Sequence, residues 1–169
     1  MKKLVLSVAT LALCSLLIAC QAVAEQAIRG AVTNLPIPRF VSLKASKGNV
    51  RRGPSLTHRI DWILKLRNMP LQVVAEHGHW RKVLDFEGAG GWIHYSLLSG
   101  TRTVMAHKDT VDILKQPRLD SLINARLDRN VLAWVNACEP EWCEISANGY
   151  KGWAQKSALW GVSIDEVFE

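Results

Sequence analysis

The chain has 169 residues, seven of them tryptophan, with a formal net charge of +6. That length accommodates one ordinary domain or two small ones. Lys2 and Lys3 lie in a leader-like segment without acids, so the remainder carries about +4, which permits an anionic partner without demanding one.

In chain order, residues 1–24 join Lys2-Lys3, an apolar run over 4–19 and Ala22-Val23-Ala24, the layout of an export signal. The run is short for a bilayer span, and no transmembrane segment is expected elsewhere. Leu17-Ile18-Ala19-Cys20 also fits the box at which bacteria lipidate a cysteine. Two readings stay open: cleavage after Ala24 gives a periplasmic protein, and acylation of Cys20 gives an envelope lipoprotein tethered by acyl chains.

Residues 25–39 contain Pro36 and Pro38 and no sustained period, the pattern of an extended lead-in or linker. From 40 onward, short apolar runs are broken by Gly, Pro, Asn or Asp. Strands are predicted over 40–45, 49–52, 60–66, 70–76, 80–86 and 90–94, and a second group falls between 109 and 164. Asn148-Gly149 is a hairpin-turn signal, because both central residues of such a turn need positive φ. Only 121–127 suggests a helix, and it is short.

The pattern around Trp80 returns around Trp142. Val83 matches Ile145, Gly91-Trp92 matches Gly152-Trp153, and Ser96, Leu98 and Gly100 match Ser157, Leu159 and Gly161. A repeat of this length argues for two copies of one small β unit, 40–104 and 105–169, rather than one large core. Units of this size are marginal alone. Cys138 and Cys143, the two cysteines left after cleavage, flank the turn-forming Pro140 and predict a disulfide across a hairpin, since an exported protein meets an oxidising compartment. The rival, a metal or redox pair, lacks Cys-x-x-Cys spacing.

Side chains alternate along a strand, so Cys143 and Ile145 face the core and Trp142 shares the more exposed side with Glu144 and Ser146. By the repeat, Trp80 does the same, and Trp92 and His94 oppose Ile93 and Tyr95. Aromatics on such a face give a stiff contact surface for a ligand, or pack the two units together. Both uses stay open.

Asn49-Val50-Arg51-Arg52-Gly53-Pro54 resembles the Asn-Val-Arg-x-Gly-Pro motif of bacterial SH3-like domains, and Gly78-His79-Trp80-Arg81-Lys82-Val83 and Gly91-Trp92-Ile93 are similar to that family's Trp and Gly-Trp signatures. The resemblance implies an all-β chain of two tandem, partly open SH3-like barrels, the second more divergent because Lys115-Gln116-Pro117 replaces the Arg-Gly-Pro motif. It also implies binding of peptides or cell-wall material rather than catalysis.

No Gly-x-Ser-x-Gly elbow, phosphate loop or free Cys paired with His appears, so neither an enzyme nor a cofactor is expected. His77, His79 and His94 raise a metal site only weakly, and scattered basic residues on an exported chain argue against nucleic acid. The candidate ligand residues are Trp80, Trp92 and His94, with Arg51 and Arg52 beside the Gly53-Pro54 turn able to hold a carboxylate. The expected function is non-catalytic recognition of peptidoglycan or an envelope peptide or protein. The alternative is a structural or assembly protein whose tryptophans fill contacts between units or chains.

Overall fold

The computed structural model describes residues 28–168. The leader and Cys20 lie outside these residues. The first unit contains β1 (Arg39–Leu43), β2 (Gly48–Arg51), β3 (Ile60–Leu64), β4 (Pro70–His77), β5 (Trp80–Leu84), β6 (Gly90–His94) and, after a 3-10 turn at Tyr95–Leu97, β7 (Leu98–Ser99). The second contains β8 (Thr103–Ala106), β9 (Thr110–Leu114), β10 (Ile123–Asp128), β11 (Leu132–Cys138), β12 (Trp142–Ala147), β13 (Tyr150–Gln155) and, after a 3-10 turn at Lys156–Ala158, β14 (Leu159–Trp160).

The two antiparallel sheets have the same strand order, β3-β2-β6-β5-β4-β1-β7 and β10-β9-β13-β12-β11-β8-β14. Their irregularities also match, with register shifts between Val73 and Ala75 and between Val135 and Ala137. The repeat in the sequence is therefore a repeat in space. Each sheet curls around its own apolar cluster. Leu43, Val50, Leu71, Val73, Val83 and Ile93 fill the first; Val104, Ile113, Ala133, Ile145 and Ala154 fill the second. The division expected at 104/105 falls inside β8, which pairs only within the second sheet, although its Met105 packs into the first core. Further joins between units are the edge-on contact of Phe40 with Trp160, at 5.1 Å, and the Thr103 hydroxyl donating to the Asn68 carbonyl at 2.7 Å.

Two expectations need correction. The helix candidate at 121–127 is largely strand β10, because β9 offers it a ladder from Thr110 to Leu114 that a lone short helix would lack. Trp142 is buried, only 7% exposed. It lines a cavity of about 270 Å³ with Leu119, Ile123 and Ala158, parts of the chain that strand alternation alone does not place over it.

The disulfide forms as the spacing predicts, between Cys138 and Cys143, which face each other across β11 and β12 in the second core. Cys138 also exchanges both backbone hydrogen bonds with Phe168, at 2.7 and 3.1 Å. The tail before Phe168 is tied down by Arg102, which ion-pairs with Glu166, and by the buried Lys156 ammonium, which donates to the carbonyls of Ile164 and Glu166. Closing so short a loop limits the unfolded chain by about 2 kcal/mol. A C138A/C143A variant should lose roughly that much, read from its urea midpoint, and an unchanged midpoint would mean that the bridge does not constrain the unfolded chain.

The stretch 28–38 is a closed turn. Arg29 and Pro36 form a β-bridge, Gly30 donates to the Leu35 carbonyl at 2.8 Å, and Ile37 donates to that of Ile28 at 2.8 Å. Its inner side is held by Glu76, near the end of β4. One carboxylate oxygen accepts from the amides of Val32 and Thr33, and the other accepts from the Thr33 hydroxyl and Arg39.

Candidate functional site

Arg81, Val83 and Ile93 point inward, so the alternation of β5 and β6 turns Trp80, Lys82, Trp92 and His94 outward. Register then builds two adjacent rows. His77, Trp80 and His94 lie side by side across β4, β5 and β6, and Lys82, Trp92 and Arg51 across β5, β6 and β2. Three of the expected residues, Trp80, Trp92 and His94, thus share one half-buried face.

Trp80 and His94 meet edge to face with centroids 5.5 Å apart, and His77 stands edge-on to Trp92 at 6.4 Å. At the rim, His94 lies 5.0 Å from Tyr95 and 5.9 Å from His79, centroid to centroid. The imidazole of His94 is fixed by its Nδ1, 2.7 Å from the Ser96 hydroxyl, as it caps the 3-10 turn that follows. The strand ends at His94, which swings Tyr95 out to solvent instead of leaving it beside Ile93. The guanidinium of Arg81 lies 5.9 Å from the Tyr95 ring centroid while donating to the carbonyls of Gly78 and Trp80. Indoles, imidazoles and a phenol with Lys82 at the edge offer stacking surface, several hydrogen-bonding groups and one mobile cation. Among the described residues no three of His, Cys, Asp and Glu are gathered to hold a metal ion.

The two arginines are placed differently. The Arg51 backbone pairs beside Trp92, but its guanidinium turns back to donate to the carbonyls of Leu56, at 2.9 Å, and His58, at 2.7 Å. It ties the 52–59 loop to the barrel. Arg52 reaches Asp61 at 3.1 Å, and Arg59 reaches the same carboxylate at 2.8 Å. Hydrogen bonds from Arg52 and then Arg59 hold the Asp61 carboxyl below its usual range. Lys82, His77, His79 and Tyr95 complete the aromatic face that sequence patterning only partly assembled. The signal that could have found Tyr95 is the His94-x-Ser96 spacing, which ends the strand with a side-chain cap.

This geometry defines a class, a small curled β-sheet presenting an aromatic outer face. Two segments, 44–100 and 107–161, match the bacterial SH3 domain family, so the chain belongs to that family in tandem. Such domains are generally cell-wall binding modules and are typically non-catalytic. No curated protein matches the chain. Among solved structures it is similar to NlpC2 and NlpC1 from Trichomonas vaginalis, each at 15% identity and a TM-score of 0.34. The matches cover 73% and 78% of this chain, which spans 48% of each of those proteins. A likeness that low has no bearing on function.

Proposed function

We propose that the protein is an exported, non-catalytic binding module of the cell envelope that recognises peptidoglycan, or an envelope peptide, through the outer face of β5 and β6. The observation that carries this is the shared placement of Trp80, Trp92 and His94 on one half-buried surface rimmed by His79, Tyr95 and Lys82. Stacked rings recognise extended peptides and sugar faces with little loss of side-chain entropy, because each ring has few rotatable bonds. Arg51 and Arg52 support the neighbouring loop in this reading rather than touching the ligand.

The test is co-sedimentation of the purified protein with isolated peptidoglycan sacculi across a salt series. Binding should persist in salt and weaken at least tenfold in Trp80→Ala, an exposed-face change that leaves the core intact. Binding abolished by moderate salt and untouched by Trp80→Ala would reduce the interaction to basic surface on an anionic polymer. The assembly alternative has its own observation, since Trp160 packs on Phe40 between the two units. That contact lies within one chain, and the second reading therefore predicts association between chains through some other face, measurable by sedimentation.

A further inference from the structure

The edge strand β3 carries apolar side chains on both of its faces. Trp62 is 54% exposed and Ile63 is 46% exposed, and Ile60, Leu56 and Leu66 extend the patch. β3 is terminal in the sheet order, so among the described residues one side of its backbone has no partner strand. Natural edges are ordinarily blunted by charge or twist, because an open apolar edge invites another chain.

The second unit shows that the fold does not require this. Aligning the two barrels on their closing pairs, Arg51 with Trp92 and Leu114 with Trp153, puts Ala125 where the first unit has Trp62 and Arg126 where it has Ile63. Arg126 is paired with Asp112 at 2.8 Å, so the second edge carries an ion pair in mid-strand, and its exposed Leu122 and Ile123 are confined to the start of β10 and the residue before it. The first has no charge at the matching position, where Ile63 stands.

The surroundings of β3 indicate the occupant. Between Lys44 and Met69 the chain holds seven Lys and Arg against one acid, Asp61, whose carboxylate is already shared by Arg52 and Arg59. Lys44, Lys47, Lys65 and Arg67 are exposed and, among the described residues, have no carboxylate partner. Trp62 overhangs a cavity of about 70 Å³ that reaches the core between β3 and the 85–90 turn, lined by Val50, Leu71 and Val83. That space suits one small aliphatic side chain, given that a water occupies about 30 Å³. Among the described residues Asp85 is the one acid that lines it, and its Oδ1 is engaged by the amides of Glu87 and Ala89.

We infer that β3 is a docking edge for an extended, acidic segment of a partner protein, which adds as a strand, seats one aliphatic side chain in the cavity beneath Trp62 and sets its carboxylates against Lys44, Lys47, Lys65 and Arg67. A membrane would meet one flat face; here the free backbone and both side-chain rows converge on an edge, the geometry of strand addition. On the outer side Ile60 pairs with Arg51, which pairs with Trp92, so this edge borders the Trp80 face across β2, but the inference does not depend on the ligand proposed for that face.

The test uses an eight-residue acetylated peptide alternating Val and Glu, a control peptide alternating Val and Lys, and vesicles of phosphatidylglycerol. The Glu peptide should bind saturably to the purified protein, weaken with salt, and protect alternate β3 amides from hydrogen exchange; the Lys peptide should not bind. A W62A/I63R variant, which imitates the second unit, should bind at least tenfold more weakly while still sedimenting with sacculi as before. Charge reversal by K65E/R67E, confined to exposed side chains, should do the same and covers the case in which the first variant fails to fold. Three results would overturn the inference: no binding of the Glu peptide, vesicle binding lost in W62A/I63R without peptide binding, or self-association through β3 that the variant abolishes.

Discussion

Glu76→Ala should cost roughly 3 kcal/mol of stability at neutral pH and open the 28–38 turn to proteolysis before any other site. The carboxylate has no solvent-accessible side-chain surface, and it accepts from Val32, Thr33 and Arg39 while Arg81 approaches within 3.4 Å. Removing it leaves Arg39 and two backbone amides without their acceptor and the buried Arg81 guanidinium without its counter-charge, which is costlier than never having built the pair. It also removes the group that Gly30 is shaped around, since a Cβ on Gly30 would fall 2.3 Å from the Glu76 carboxyl carbon.

The same group predicts an acid limb. Burial pushes the Glu76 pKa up, but the hydrogen bonds from Thr33, Arg39 and Val32 outweigh it and bring the value down to about 2 from 4.5. A carboxyl with a lowered folded pKa stabilises fully above its unfolded value and ceases to do so as pH falls through the folded one. The stabilisation is therefore complete above pH 4.5 and declines toward pH 2. The cover over Glu76 is a single turn of chain with solvent just beyond, so the contribution is about 2 kcal/mol rather than the full shift. Urea midpoints of the wild type and Glu76→Gln should differ at pH 7 and converge near pH 2. A gap that stayed constant with pH would assign the effect to packing instead of charge.

How legible these features were depends on where their causes lie. The repeat, the turn residues and the inward set Val83, Ile93 and Ile145 follow from period-two alternation, a local property, and the Cys138–Cys143 bridge follows from spacing across one hairpin. Glu76 left no such trace. An acid near the end of a hairpin strand resembles a solvated side chain, and two of its partners are backbone amides more than forty residues earlier, which no side-chain pattern records. Arg51 was legible as a cation beside a turn but not as a clamp, because its acceptors are the carbonyls of Leu56 and His58. Trp62 lay inside a correctly placed strand, yet its exposure depends on that strand ending the sheet order, a matter of topology.

The glycines of the repeat look alike in sequence and should separate sharply in experiment. Gly91 and Gly152 precede Trp92 and Trp153, the residues through which β6 closes on β2 and β13 on β9. A Cβ on Gly91 would stand 2.5 Å from the Arg51 carbonyl oxygen, and one on Gly152 would stand 2.4 Å from that of Leu114. Backbone cannot swing aside as a side chain can, so Gly91→Ala and Gly152→Ala should each cost roughly 3 kcal/mol by prising open the barrel they sit in. Gly100 and Gly161 occupy matched positions but not matched environments. Gly100 has nothing within 4 Å of its would-be Cβ, whereas Gly161 has φ +117° and would meet the Thr103 carbonyl oxygen at 2.5 Å and the Pro70 Cβ at 3.0 Å. Gly100→Ala should therefore change the stability read from the urea midpoint by no more than about 0.5 kcal/mol. Gly161→Ala should lose roughly 3 kcal/mol from strain and close approach together. Because Gly161 sits where the second unit meets Pro70 of the first, its loss should also split one unfolding transition into two. A single unsplit transition in Gly161→Ala would mean that Met105, in the first core, suffices to couple the two barrels.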